Sequence, residues 1–309
     1  MHNLTEDAEA SEDDCWTPLQ TAARAGDLAA ATALLASGAD VNAPPQGYYG
    51  RTALQAACAS SHAEIASLLL AAGADVDAPP GNNDARNALQ LACGQANTTI
   101  VSMLIAAGAD VNAPATRYHG ATALQSACLA GPISTVELLL AHGADVNAAP
   151  AVTAGRTALQ AACVGARAEE LVDLLLGRGA DVNAPASRHK GLTALQASSF
   201  RGSEGLVRVL LAAGADANAA GSRFKGGRAL HAAAEGGHVR VCEVLLDAGA
   251  EIDGSSGWGG GVGVSGGGGG GQTALQGAAA RGHDEVVRVL RGRGATGWEG
   301  GGMLLFDSV

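Results

Sequence analysis

Four cysteines, Cys58, Cys93, Cys128 and Cys163, stand 35 residues apart. Thiols repeated at one interval could hold a soft metal ion or exchange disulfides, if a fold brought their sulfur atoms together. No pair forms C-x-x-C, however, and no histidine lies at ligand spacing. A second candidate is Gly261-Val262-Gly263-Val264-Ser265-Gly266, which matches the phosphate-cradling G-x-G-x-x-G. That motif works only between a strand and a helix, and here more glycines flank it on both sides. His62, His238 and His283 are the third candidate, but no serine, histidine and acid converge in a recognisable active-site context. No catalytic residue, metal ligand or cofactor is therefore expected, and the chain reads as a non-enzyme.

The interval of the cysteines is the interval of the whole chain. Thr17-Pro18-Leu19-Gln20 returns as Thr52-Ala53-Leu54-Gln55, Asn87-Ala88-Leu89-Gln90, Thr122-Ala123-Leu124-Gln125 and Thr157-Ala158-Leu159-Gln160. It continues as Thr193-Ala194-Leu195-Gln196, Arg228-Ala229-Leu230-His231 and Thr273-Ala274-Leu275-Gln276, in steps of 35, 35, 35, 35, 36, 35 and 45 residues. Within a unit, Thr52 can cap a helix carrying Leu54, Ala57 and Cys58 on one face. Ile65, Leu68 and Leu69 then mark a second helix, which Gly73 ends. In the fourth unit Pro132 stands where the second helix begins. The 36-residue step places one extra residue near 166–168, and the 45-residue step a glycine-rich insertion at 254–271. The cysteines fill the slot held elsewhere by Ala23, Ala234 and Ala279, which is a packing position for a small apolar side chain. Helix pairs packed about 8–10 Å apart would hold them beyond disulfide reach.

Helix, turn, helix and projecting loop, with T-P-L-Q, G-H and G-A-D-V-N-A at fixed offsets, resembles the ankyrin repeat over residues 15–296 in about eight units. The resemblance implies an all-α ankyrin-repeat solenoid of stacked helix pairs with projecting β-hairpin fingers. Two residues beyond the usual 33 fall in the finger, between Gly38 and Thr52. In this variant the tetrad reads mostly Thr-Ala-Leu-Gln, which is similar to arrays of filamentous fungi, often behind signalling domains. The glutamines are expected to bridge loops of neighbouring units, and Asp40 and Asn42 to form turns. Arg288, Arg291 and Arg293 give the eighth unit the polar face that a terminal repeat needs. Residues 1–14 read as an acidic disordered head and 297–309 as a flexible tail. The closing Phe306-Asp307-Ser308-Val309 also suits a PDZ-type groove.

Composition agrees with thin layers. The 309 residues are 47% hydrophobic yet hold three Trp, three Tyr and three Phe, and 45 are glycine. Net charge is −11, all of it in residues 1–155, which carry four arginines against fifteen acids. That balance disfavours nucleic acid. No stretch is long and apolar enough for a membrane span, and the acidic start lacks the pattern of a signal peptide. Cytoplasm is the expected compartment, with the nucleus as second, and neither a membrane nor a small-molecule substrate is implied.

The few aromatics avoid the repeated core positions. Tyr48, Tyr49, Tyr118 and Phe224 sit in fingers, Phe200 at the end of a first helix beside Arg201, and Trp258, Trp298 and Phe306 in glycine-rich segments. Arg117-Tyr118-His119, Arg188-His189-Lys190 and Arg223-Phe224-Lys225 are basic clusters at equivalent places. Fingers and first helices line the concave, partner-gripping face in ankyrin arrays, and aromatic and arginine side chains anchor interfaces. These residues are the expected contacts to a protein or peptide bearing acidic and apolar groups. The function implied is a protein–protein interaction scaffold. The second reading is a sensor or autoinhibitory arm of a larger signalling protein, set against Met1 and the acidic head, which read as the start of a complete chain.

Overall fold

The computed structural model describes residues 16–45, 50–79, 81, 86–116, 120–188, 191–222, 226–255 and 272–296. Sixteen helices follow one another as eight pairs among them. They are α1 (Pro18–Ala25) with α2 (Leu28–Ala36), α3 (Ala53–Ala59) with α4 (Ala63–Ala71), α5 (Ala88–Gly94) with α6 (Thr98–Ala106), and α7 (Ala123–Ala130) with α8 (Ile133–Ala141). The series continues with α9 (Ala158–Val164) and α10 (Ala168–Gly177), α11 (Ala194–Arg201) and α12 (Glu204–Ala212), α13 (Ala229–Glu235) and α14 (Val239–Asp247), and α15 (Ala274–Ala280) and α16 (Asp284–Gly292). The head, the tail and most of the glycine-rich insertion lie outside the described residues.

Each first helix is only seven or eight residues long, too short to persist alone in water. A capping box starts most of them. The Thr52 hydroxyl accepts from the Gln55 backbone N–H at 3.2 Å, and the Gln55 side chain accepts from the Thr52 N–H at 3.1 Å. Thr17, Asn87, Thr122, Thr157, Thr193 and Thr273 repeat the arrangement. The pattern T-x-x-Q is thus a helix start written into every such unit.

First helices stack on first helices and second helices on second, more closely in the first layer. The cause is side-chain size. The first layer meets through Ala56, Ala57, Cys58 and their repeats, while Ile65, Leu69, Ile100 and Leu104 space the second. Closer stacking on one side bends the array toward the first helices, which therefore form the concave face. Between the layers runs a continuous row, Leu19, Leu54, Leu89, Leu124, Leu159, Leu195, Leu230 and Leu275, each at most 2% exposed. Truncating one such leucine to alanine costs about 2–5 kcal/mol. In the fifth pair, α10 has ten residues rather than nine, and its core residues Leu171, Val172 and Leu175 come one position later than Ile65, Ala66 and Leu69.

The fingers expected as β-hairpins are described only in part, their tips at 46–49, 82–85, 117–119, 189–190 and 223–225 lying outside the described residues. Among the described residues they contain no strand, only an isolated bridge at Thr153. Pro44, Pro45, Pro79, Pro114 and Pro185 stand in these segments. Proline has no N–H to give a ladder, and their neighbours are largely alanine and glycine rather than β-branched residues.

Candidate functional site

The polar residues that recur in every unit are spent on the fold. Besides closing its capping box, Gln55 donates through Nε2 to the carbonyls of Ala78 (2.8 Å) and Pro79 (3.3 Å). Gln20, Gln90, Gln125, Gln160 and Gln196 make the same reach, 23 to 25 residues ahead. The bridge joins the start of a unit to its own exit loop, not one unit's loop to the next as the sequence suggested. The tie between units comes from asparagine. Asn112 donates Nδ2 to the Gly143 carbonyl (2.9 Å) and accepts the Asp145 N–H at Oδ1 (2.8 Å). Asn42, Asn147, Asn183 and Asn218 repeat this bracket. The aspartates act as read, Asp40 accepting the Asn42 N–H at 2.9 Å in a local turn.

The histidines are further clamps. His62, His238 and His283 each place Nε2 against a carbonyl at the end of the preceding first helix, those of Arg24 (3.2 Å), Phe200 (2.8 Å) and Glu235 (2.9 Å). Cys58, Cys93, Cys128 and Cys163 are buried and free of disulfides. Burial pushes the first three thiols up to about 12 and Cys163 to about 11, which suits packing and opposes thiolate chemistry at neutral pH.

What remains for function is the concave ends of the first helices and the fingers. Four of the fingers are pinched at the neck. Gly120 lies against Thr116, Gly155 against Ala151, Gly191 against Ser187 and Gly226 against Ser222, so tightly that a Cβ would overlap the opposing backbone. Three residues span each neck. The tip Val152-Thr153-Ala154 leaves Val152 52% exposed and holds Ala154 at φ +53°.

Ten of the expected contacts, Tyr48, Tyr49, Arg117, Tyr118, His119, His189, Lys190, Arg223, Phe224 and Lys225, lie outside the described residues. Arg188 is exposed at its neck. Phe200 is half-buried against Ala232 of the next unit. Arg201 turns the other way, its guanidinium donating to the carbonyls of Cys163 (3.0 Å) and Gly165 (2.6 Å) of the preceding unit. It replaces there the histidine clamp that the sixth unit lacks. These two neighbours therefore face opposite sides of their unit.

A groove that sequence reasoning missed runs across the third to fifth units. It encloses about 270 Å³, with Arg86 and Arg156 among its walls and Ser126, Leu129, Gly120 and Gly155 between them. Leu129 is 45% exposed. A second depression of about 320 Å³ shares Leu129 and Ala130 and continues past Pro132 to Arg167. The signal was present in the sequence. Arg51, Arg86 and Arg156 each stand one residue before a tetrad, and Leu129 occupies the slot filled by Arg24, Phe200 and Glu235 in other units. Arg51 and Arg86 are half-buried, and both guanidiniums are held below their ordinary value by burial, Arg51 also by the charges of Arg86 and Arg24. At the open end of the array Arg24 lies over the Trp16 ring, 5.1 Å from its centre.

The family described as "Ankyrin repeats (3 copies)" matches this chain over residues 2–80, 77–150, 119–186, 160–256 and 223–297. The chain belongs to the ankyrin-repeat family. The crystal structure of the human ASB11 ankyrin repeat domain superposes with a TM-score of 0.59 at 26% identity, covering 75% of this chain and 98% of that one. No curated protein matches the sequence. Ankyrin repeats generally mediate protein–protein interaction. Among the described residues, no group of three His, Cys, Asp or Glu side chains is placed to hold a metal ion, and no helix is long and apolar enough to cross a membrane.

Proposed function

We propose that this ankyrin-repeat protein is a non-enzymatic scaffold that holds a partner protein or peptide on its concave face and fingers. The observation that carries the reading is the exposure of Leu129 in a groove on the concave side of an otherwise well-filled array. Exposed apolar surface rimmed by charge is the usual mark of a recognition site. Repeated polar groups are consumed by caps and brackets, so specificity falls to the side chains that vary: Leu129, Val152, Arg188 and the basic finger clusters around Tyr118 and Phe224. Stacking makes this face rigid before a partner arrives, which lowers the ordering cost of binding. Free, buried thiols suit a reducing compartment, cytoplasm or nucleus.

A photo-crosslinking amino acid at residue 129, 152 or 188, compared with one at the exposed Arg178 in the second-helix layer, tests the reading in extracts of the native cell. Adducts to a partner should form from the first three positions. Adducts formed only from position 178 would refute it. Replacing Arg188, Lys190, Arg223 and Lys225 with alanine should weaken capture of that partner, and unchanged capture would remove the finger clusters from the site.

A further inference from the structure

The two depressions share Leu129, and arginines line both: Arg86 and Arg156 one, Arg167 the other. The chain as a whole carries −11 and its first 155 residues hold only four arginines, so one of those four, Arg86, standing with Arg156 at one apolar opening is a local concentration of basic side chains. The opening has a structural origin. Nine residues after a tetrad begins, the chain usually turns through positive φ, as at Gly26, Gly202 and Gly237. In the fourth unit Gly131 is extended instead (φ −85°, ψ 162°) and Pro132 follows, so the chain leaves α7 by a different turn. Gly165 of the fifth unit is extended too (φ −70°, ψ 167°). The clamp residue over α7 is also missing: Arg167, at the start of α10, stands where the following unit would place the histidine that closes over the preceding helix end. A leucine at the end of α7 is left uncovered.

We infer that the Arg86–Leu129–Arg156 groove is a docking site for an extended acidic peptide segment of a partner protein, with an apolar side chain seated on Leu129 and a carboxylate engaged at each arginine. This rests on the scaffold reading above and adds the place and the chemistry of the ligand. Charge complementarity selects the class. Arg86 and Arg156 lie two units apart, about 16–20 Å at ordinary helix spacing. An extended strand covers that in about six residues. The matching ligand thus has acids about six residues apart and, between them, apolar residues two and four positions on, which share the acids' face of the strand. Planar guanidiniums grip carboxylates in a two-pronged fashion, and half-burial of Arg86 strengthens the attraction by excluding water.

The probe is fluorescein-labelled Asp-Ala-Leu-Ala-Leu-Ala-Asp, titrated with the full chain and followed by anisotropy. It should bind, weaken as salt rises, and outcompete the same peptide with Lys for Asp or Ser for Leu. The Arg86→Ala/Arg156→Ala double variant should lose about tenfold or more, equivalent to about 1.4 kcal/mol. Leu129→Ser, at a side chain already 45% exposed, should lose affinity with no change in melting temperature. Arg178→Ala/Arg288→Ala, at two exposed arginines away from the groove, should leave it unchanged. Equal binding of the lysine peptide, preference for a single-stranded oligonucleotide, or unchanged affinity in both groove variants overturns the inference. If the crosslinking experiment captures a partner while the acidic peptide fails to bind, the scaffold stands and the groove assignment falls.

Discussion

Asp77 accepts the backbone N–H of Asp110 at 3.1 Å through either carboxylate oxygen. In five comparable brackets, such as Asn112 with Asp145, the residue is an asparagine that also donates Nδ2 to the carbonyl of the glycine two residues before, here the position of Gly108, while Asp253 with Thr296 is a second carboxylate bracket. A carboxylate has no donor, so one of the two inter-unit bonds is not made by Asp77. The Asp77→Asn variant is expected to restore it and raise stability by about 0.5–1.5 kcal/mol, the net value of one hydrogen bond. Asn112→Asp should cost a similar amount. Urea midpoints of the two variants should move in opposite directions; a parallel shift would mean the bracket does not tie the units.

Ser61 and Ala96 occupy the turn between their helices at φ +60° and +57°. A side chain in the left-handed region costs about 1–2 kcal/mol, which glycine avoids at some loss of chain entropy. Ser61→Gly and Ala96→Gly should each stabilise the array by about 0.5–1 kcal/mol in thermal unfolding.

The opposite change should fail wherever a histidine clamps. His62, His238 and His283 pack over Gly26, Gly202 and Gly237, so that a Cβ there would strike the imidazole. Gly202→Ala is therefore expected to destabilise by about 2–4 kcal/mol, combining left-handed strain with the lost clamp. Melting of the double variant with His238→Ala should recover part of the loss. Ser61 and Ala96 are tolerated because the next units carry Asn97 and Pro132 in place of the histidine.

These turns show how much of the molecule the sequence disclosed. The eight helix pairs were legible because Leu54, Cys58, Ile65 and Leu69 recur at one interval, and repetition averages out the noise of any single unit. The thiol row was legible as packing because alanine fills the same slot in three units. The reach of Gln55 was not, since its acceptors are backbone carbonyls, which have no residue signature. The Leu129 groove was hidden for another reason. It arises from a departure, Gly131-Pro132 replacing the left-handed turn, and a departure carries no periodic signal. Tyr118 and Phe224 were readable as finger residues, while Phe200 and Arg201, adjacent in sequence, proved to serve opposite neighbours.

The buried thiols make a direct prediction. At pH 8 an ordinary cysteine is substantially ionised, whereas a thiol raised to about 12, as at Cys58, Cys93, Cys128 and Cys242, is thiolate at only about one part in ten thousand. Iodoacetamide should leave these four and Cys163 unmodified in the native protein and label all five in urea. Mass spectrometry of the peptides reads the outcome. Rapid native labelling of Cys93 would show that the helix layers open far more often than their packing implies.

His231 stands where the other units have glutamine, and it does the same work at the neck of the glycine-rich insertion. Its Nδ1 accepts the Arg228 N–H at 3.3 Å, and its Nε2 donates to the Gln272 carbonyl at 2.8 Å. Only the neutral Nε2–H tautomer can do both, since a proton on Nδ1 would face the Arg228 N–H. Burial, and to a lesser degree the Arg228 charge, hold the imidazole down at about 4 against an ordinary 6.5. The folded state thus binds fewer protons than the unfolded one between those values, and stability must fall as pH drops from about 6.5 to about 4. The full difference is worth about 3 kcal/mol. His231→Gln keeps both hydrogen bonds and cannot titrate, so its urea midpoint should decline less than that of the parent between pH 7 and pH 4.5. Equal acid sensitivity of the two proteins would place the titrating group elsewhere.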